Sequence, residues 1–361
     1  MRIREITLQP FRNFAQFHLC TEADRVLIMG GNGCGKSNIL EAISYLSIGK
    51  SARGAKDHQA VPHGGNYFDI QALCNDGRRD CRLRIFYAQE SGKRAFCDEI
   101  PLPRVSDVLG TFKTVHFSPE DVSLVLRFPA QRRRIIDILI SQSSASYLHD
   151  LQRYRRTLTQ RNHFLRACKR AARAPDKGML QAWTDQLAHQ GARIRAQRLD
   201  ALKVLAGPFT DYYDRFSSQQ EKATVEYRGP KGATEEALRA ELQEELEQKR
   251  DQERHQGHTL CGPHRDDLVF VLSGQPADSH ASEGQLKTIL IAWKMAEVRF
   301  LEQQTVEPPV LLLDDVFSEL DVHRVSELLE IMDEFGQILL TTPQELENSI
   351  RARFKEIRLP D

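Results

Sequence analysis

Residues Gly30 to Ser37 read GGNGCGKS: a glycine, four residues, then glycine, lysine and serine. That spacing serves phosphate binding. The glycines let the loop curl so that successive backbone N–H groups face phosphate oxygens at the positive end of a following helix. Lys36 is placed to reach the β- and γ-phosphates of a nucleotide, and the Ser37 hydroxyl to help hold Mg²⁺. Gly30, Gly31, Asn32, Gly33, Cys34, Gly35, Lys36 and Ser37 are therefore the candidate nucleotide-binding residues. A second element, VLLLDD at Val310 to Asp315, is an apolar run ending in paired carboxylates. Asp314 is placed to organise Mg²⁺ with Ser37, and Asp315 to polarise an attacking water. ATP and Mg²⁺ are the cofactors that such a pair of elements calls for. Catalysis would then be positioning and charge neutralisation, with no covalent residue.

A third element, Ser282-Glu283-Gly284-Gln285, precedes a helix with apolar residues at Leu286, Ile289, Leu290, Trp293 and Phe300. Alone it is a serine N-cap. Beside the other two it resembles the ABC signature, in which a serine at a helix N-terminus contacts the γ-phosphate held by another subunit. On that reading Ser282 joins Lys36 and Asp315 as a catalytic residue, and Gly284 and Gln285 join the nucleotide contacts. Ser318-Glu319-Leu320-Asp321 resembles the ABC D-loop. The order of P-loop, signature, paired carboxylates and D-loop separates the ABC class from kinases and G proteins, and implies that one subunit cannot complete the site.

The elements that must position these residues are legible in part. Ile3 to Leu8, Phe17 to Leu19 and Val26 to Met29 read as strands, and Asn38 to Leu46 as a helix with apolar residues at Ile39, Ile43 and Leu46. Phe68 to Leu73 and Cys81 to Tyr87, with turn signals at Asn75-Asp76-Gly77 and Ser91-Gly92, predict an antiparallel sheet beside the nucleotide core. From about Pro129 to Gly257 the sequence turns to long polar helices. Leu151, Leu158 and Leu165, with Tyr154 and Cys168, form one heptad series. Leu180, Leu187, Ile194 and Ala201, with Trp183 and Val204, form another after the break at Pro175 and Gly178. Two such helices make a short antiparallel coiled-coil-like hairpin, each arm of roughly 30 residues spanning about 45 Å. Strands resume at Leu268 to Leu272, Val310 to Leu313 and Gln337 to Thr341. The expected class is thus α/β, a P-loop ATPase head of the ABC type with an inserted, mainly helical lobe. Residues 1–128 form its first part, 129–257 the lobe, and 258–361 its second part.

The chain has 361 residues, 40% hydrophobic and 28% charged, which is the composition of a globular protein. No apolar run approaches the roughly 20 residues of a bilayer span, so no membrane association is expected. MRIREITLQPFRNF places charges where a signal peptide needs an apolar stretch, and a cytoplasmic location is expected. The seven cysteines lack the close pairs of a zinc site and read as reduced structural thiols. Zero net charge argues against binding nucleic acid through bulk charge. Its distribution is uneven, however: from Arg153 to Arg173 every charged residue is basic (Arg153, Arg155, Arg156, Arg161, Arg166, Lys169, Arg170, Arg173), whereas Glu235 to Glu253 is rich in glutamate. The basic run is either a solvated helix face or a DNA contact.

Phe11-Arg12-Asn13-Phe14, Phe117-Ser118-Pro119-Glu120-Asp121, Arg132-Arg133-Arg134 with Asp137, Gly262-Pro263-His264-Arg265-Asp266-Asp267, and Leu312 to Asp321 together resemble the RecF family of bacterial recombination mediators. The resemblance runs from near the N-terminus to the last fifth of the chain. It implies an ABC-type ATPase domain with a second, largely helical lobe. It also implies ATP and Mg²⁺ binding, an ATP-dependent homodimer, association with double-stranded DNA and with single-strand/double-strand junctions, and weak, DNA-stimulated ATP hydrolysis. The implied partner is RecR, and through it RecO and RecA. The implied outcome is RecA loading at single-strand gaps and stalled forks, in repair, replication and the SOS response, in a cytoplasmic, nucleoid-associated protein. Three positions depart from the family pattern. Leu286 stands where a second glutamine is usual, Cys34 sits inside the phosphate loop, and Thr341-Thr342 occupy the place where ABC enzymes often carry a histidine, which leaves the γ-phosphate sensor unassigned. Arg12 is either a nucleotide contact or an exposed arginine after a strand, and His264 and Arg265 are structural or DNA-facing. The rival readings are an ABC transporter ATPase subunit, which needs no insert of this size before the signature, and an architectural SMC-like clamp, for which the hairpin is short.

Overall fold

A computed structural model describes residues 1–360 except 76, 78, 123–127, 218–220, 306 and 344, and at 319 the backbone alone. Asp76 of the expected turn therefore lies outside the described residues. The chain divides into two compact units: Met1–Arg127 with Gly207–Ala223 and Leu272–Asp361, and Phe128–Ala206 with Thr224–Val271.

The first unit opens with β1 (Arg2–Leu8), β2 (Phe17–Cys20), β3 (Arg25–Met29), α1 (Lys36–Ile48) and α2 (Asp57–Ala60), followed by β4 (Tyr67–Asn75), β5 (Asp80–Ala88), β6 (Gly92–Cys97), β7 (Ile100–Pro101) and β8 (Thr114–Phe117). The chain then passes through α3 (Pro129–Ser143), α4 (Ala145–Arg170), α5 (Lys177–Ser217), β9 (Ala223–Arg228), α6 (Glu235–Gln248), α7 (Arg250–Gln256) and β10 (Asp267–Leu272). It ends with β11 (Gln275–Pro276), α8 (Ala277–His280), α9 (Glu283–Gln304), β12 (Val310–Asp314), α10 (Val322–Met332), β13 (Ile338–Thr342), α11 (Asn348–Arg351) and β14 (Lys355–Arg358).

Two sheets build the first unit. One has strand order β2-β1-β4-β5-β6-β7, and its pairings, from Glu5 opposite Cys20 to Cys97 opposite Ile100, are antiparallel. The other, β14-β3-β13-β12-β8, is parallel throughout. Parallel strands covered on both faces read as continuous apolar runs, and every residue of β12 and β13 is buried. Helix α1 belongs to the core shared by the two sheets, where Ile39, Leu40, Ile43, Tyr45 and Leu46 pack with Ile6, Phe68, Ile85, Val26 and Leu312. Its last ten residues, from Ile39 to Ile48, are all buried, so no polar face remains, as expected of a helix enclosed on all sides.

The second unit is mainly helical. Its hairpin runs antiparallel: Ser144 reaches Gln197, Asp150 pairs with Arg193, and the Phe164 ring lies 5.1 Å from the Trp183 ring. Leu151, Tyr154, Leu165 and Cys168 of one helix, and Leu180, Leu187, Ile194 and Ala201 of the other, are buried.

The lobe expected over 129–257 differs from this unit in three respects. Helix α5 is 41 residues long and contains Pro208; from Gly207 onward it belongs with the first unit. There Phe209 packs on Trp293, Tyr212 on Phe335, and Arg215 pairs with Glu327 and Glu334. Residues after 257 stay with the helices instead, because Asp266 and Asp267 are ion-paired to Arg195 and Arg132. A strand, β9, also lies within the expected helical span; its short alternation is outweighed, in sequence, by the helical periods around it. Among the described residues no helix is long and apolar enough to cross a membrane.

Candidate nucleotide site

In a parallel sheet, ligands bind beyond the carboxyl ends of the strands. The ends of β3, β12 and β13 surround a cavity of about 240 Å³ lined by Asn32, Gly33, Gly35, Lys36, Ser37, Asn38, Arg53, Asp314, Asp315, Thr341 and Pro343. The loop after β3 therefore faces the paired carboxylates.

The loop is held by its own chemistry. Lys36 Nζ donates to the carbonyls of Gly30 and Gly31, each at 2.7 Å, so the ammonium lies over the loop. Gly35 has φ 107°, and a Cβ there would meet the Phe14 ring at 2.5 Å and the Asn13 amide at 2.7 Å. Only glycine fits both the left-handed backbone and that approach. Asn13 donates to the Cys34 carbonyl at 3.1 Å and accepts from Asn38 at 2.8 Å, so the Phe11 to Phe14 segment buttresses the loop.

Asp314, 6% exposed, accepts from Ser37 Oγ at 2.8 Å and from Thr341 Oγ1 at 2.6 Å. A hydroxyl and a carboxylate meeting on hard oxygen atoms are the donor type that Mg²⁺ takes, so the residues present fit that ion. Asp315 turns the chain with φ 46° and ψ 38°, a left-handed conformation that Asp and Asn tolerate better than other non-glycine residues. Its N–H donates to the Thr341 carbonyl and hydroxyl, both at 3.1 Å. On β8, beside β12, burial lowers the pKa of His116 against the pull of Asp121 and Asp314.

Other expected contacts lie elsewhere. Arg12 makes a two-pronged bond to the fully buried Glu41, at 2.9 and 2.6 Å, and donates to the Gln59 carbonyl. Ser282 caps α9 by accepting from Gln285 N–H at 3.3 Å, while the Gln285 side chain accepts from Ser282 N–H at 2.7 Å and donates to Glu221 at 2.6 Å. Gly284 lies near Arg324, which pairs with Asp321 of the D-loop segment. Neither Ser282, Gly284 nor Gln285 lines the cavity of its own chain.

The sequence of this chain matches the family model described as RecF/RecN/SMC N terminal domain over residues 2–354. It is 35% identical to the DNA replication and repair protein RecF of Salinibacter ruber over 94% of this chain and 84% of that protein. It is 37% identical to RecF of Heliobacterium modesticaldum over 95% and 92%. The chain belongs to the RecF family. A solved structure of the recombination mediator protein RecF with ATP, in the RecFOR pathway, is 32% identical and superposes with a TM-score of 0.89 over 96% of this chain and 92% of that one. An SMC head at 13% identity and TM-score 0.57 shares the fold alone. The fold is α/β, that of the ABC-type heads of RecF and SMC proteins.

Within this RecF-family site, sequence reasoning missed Arg53, Asn38, Thr341 as a lining residue, and Pro343. Arg53 follows the helix in an irregular segment with no motif of its own, and only the fold brings it to the cavity, where it pairs with Glu120 at 3.1 Å. The cysteines are all free among the described residues. The expectation of scattered thiols did not foresee that Cys20, His18 and Glu5 would lie within 4.8 Å of one another on β1 and β2.

Proposed function

We propose that this chain is a DNA-repair ATPase that binds ATP with Mg²⁺ in the cavity between the Gly30 to Ser37 loop and Asp314-Asp315, closes into a homodimer around the nucleotide, and acts on double-stranded DNA. The observation that carries the reading is the meeting of Ser37 and Asp314 in the cavity that Lys36 also lines. When ATP is bound, Lys36 exchanges its two loop carbonyls for phosphate oxygens, and the curled backbone presents N–H groups to them. Ser37 and Asp314 hold Mg²⁺, which neutralises phosphate charge. Asp315 orients water, its main chain fixed by Thr341. Thr341 also ties down Asp314, which gives the threonine at this position a positioning role in place of a histidine.

Ser282, Gly284 and Gln285 complete the site from the partner subunit. Their absence from the cavity of their own chain supports this arrangement, since a cap facing outward at the start of α9 is available to a second copy. Hydrolysis is weak and stimulated by DNA. With RecR, and through it RecO and RecA, the dimer promotes RecA loading at single-strand gaps, junctions and stalled forks. The protein is cytoplasmic and nucleoid-associated.

The test is the mass of the protein in solution by light scattering, with and without ATP and Mg²⁺, then with a short duplex. A dimer that appears with ATP and retains duplex supports the reading. A monomer indifferent to both leaves a P-loop protein without the clamp.

A further inference from the structure

Two segments that the nucleotide site does not use, Arg132 to Asp137 and Gly262 to Asp267, come together in the helical unit. Arg132 pairs with Asp267 at 2.7 Å and Arg133 donates to the Asp266 carbonyl at 2.9 Å. They border a cavity of about 230 Å³, into which Arg133, Arg134, Arg155 and Arg198 converge with a single carboxylate, Asp137.

That carboxylate is already engaged. Buried Asp137 accepts from Tyr147 at 2.5 Å, from Arg198 at 2.8 Å and from Arg155 at 3.2 Å. Arg198, 2% exposed, is the floor, bound also to the Pro263 carbonyl at 2.7 Å. Asp137 thus answers Arg198 and Arg155 together, one carboxylate for two guanidiniums, so the group carries net positive charge. Burial and then the repulsion of Arg198 disfavour the charged form of Arg133 and lower its pKa.

The excess continues along α4. Arg155, with a side chain 60% exposed, stands at the cavity mouth. At 3.6 residues per turn, Arg166 and Arg170 fall within about 60° of the same face, Arg166 roughly 16 Å farther along the axis. Both are exposed, neither is ion-paired among the described residues, and no acidic residue occurs between Leu151 and Arg173. Arg161, from the same run, is not part of this face: it is fully buried against Glu253.

We propose that this face, from the cavity mouth at Arg134 and Arg155 along α4 to Arg166 and Arg170, binds the phosphodiester backbone of duplex DNA. The inference rests on the DNA-binding reading above and assigns residues to it. Guanidinium forks match phosphate geometry. An extended row of them suits a polymer with about one charge per 1.7 Å of axis, whereas a lone carboxylate in the cavity would leave Arg166 and Arg170 unused.

The experiment is fluorescence anisotropy of a labelled duplex with the full chain, ATP and Mg²⁺, across a salt series. The variants are Arg134→Gln/Arg155→Gln, the same with Arg166→Gln, and Arg4→Gln as a control that removes one exposed cation on β1. Each phosphate contact contributes about 0.9 to the slope of log K against log salt, so the slope falls by about 2 in the double and about 3 in the triple variant. Unrelated duplex sequences weaken alike, Arg155→Lys restores most of its share, ATP-dependent dimer mass is unchanged, and Arg4→Gln keeps the wild-type slope. A wild-type slope in the double and triple variants, when the wild type binds duplex, overturns the assignment and leaves the DNA reading standing. A fall of about 1 in Arg4→Gln makes the effect one of general charge and also overturns it. If those variants keep DNA binding but lose an acidic partner protein, the face belongs to that partner. A wild type that ignores duplex removes the DNA reading and this inference together.

Discussion

Ser37 Oγ donates to Asp314 Oδ1 at 2.8 Å across 277 residues of sequence. The bond joins the end of the loop after β3 to the end of β12, two strands separated in the parallel sheet by β13. Residue Thr341, at the end of that intervening strand, donates to the same carboxylate oxygen. The start of α1, which follows β3, and the ends of β12 and β13 therefore converge on one oxygen.

Lys36→Ala removes the ammonium that lies over the loop, whose bonds go to the Gly30 and Gly31 carbonyls and, at 3.9 Å, to Cys34 Sγ. The fold loses little, and the phosphates lose their principal cation. ATP-driven dimerisation is abolished while the melting temperature without nucleotide stays close to wild type. Light scattering and thermal unfolding check this pair of outcomes; dimers that persist unchanged remove the loop from the mechanism.

Ser282→Arg places a bulky cation at the start of α9. Loss of the serine cap costs about 1 kcal/mol, too little to unfold a helix buried from Thr288 to Val298. Monomers still bind ATP, since Ser282 does not line their cavity, but dimers do not form. Equilibrium nucleotide binding and light scattering separate the two effects. Equal loss of both means that the signature acts within its own chain.

The phosphate loop and the paired aspartates were legible because their geometry is local. Glycine spacing sets the curl at Gly35, and an apolar run ending in two acids marks a strand end at Asp314. The hairpin was legible because Leu151, Leu165, Leu180 and Leu187 repeat at helical spacing. Arg161 could not be read: in sequence it is one cation among eight, and in the fold it is buried against Glu253, 92 residues away. Arg53 was missed for the same reason, because no periodicity or motif marks an irregular segment that the fold carries to a cavity. Arg12 was left open between two readings, and the structure pairs it with Glu41, buried on α1.

The Arg161–Glu253 pair is fully buried, with N to O at 2.6 Å; Thr259 accepts from the arginine at 2.7 Å, and Leu260 N–H donates to the glutamate at 2.8 Å. Arg161→Met leaves a carboxylate buried without its cation and costs about 3–5 kcal/mol. Adding Glu253→Gln removes the stranded charge and keeps an acceptor for Leu260, so the double variant recovers most of the loss. Urea unfolding measures the cycle; additive losses sink the idea that the pair acts as a unit.

His264 accepts or donates at 2.7 Å with the Tyr154 hydroxyl, and burial lowers its pKa to about 4. A histidine whose folded value lies below its unfolded value of about 6.5 adds stability that is complete above the unfolded value and is lost as pH falls toward the folded one. Between pH 7 and 5 the wild type loses about 2 kcal/mol from this group, a loss that His264→Asn lacks. Unfolding of both proteins at the two pH values isolates the term; parallel pH profiles show that the imidazole is not held neutral.

Asp315 combines a chemical and a conformational demand. The residue lines the nucleotide cavity, and its backbone sits at φ 46°, where N–H reaches Thr341. Asn shares the tolerance of Asp for this region, whereas a residue such as Val pays roughly 1–2 kcal/mol there. Asp315→Asn therefore keeps the turn and the neighbouring Asp314 in place while removing the charge proposed to orient water. ATP still binds and dimers still form, but hydrolysis stops, so the dimer outlives the wild-type dimer after free ATP is removed. Asp315→Val, in contrast, disturbs Asp314 and lowers nucleotide affinity as well. Dimer lifetime by light scattering and nucleotide affinity by titration distinguish the variants. An Asp315→Asn dimer that decays at the wild-type rate assigns the water to another group.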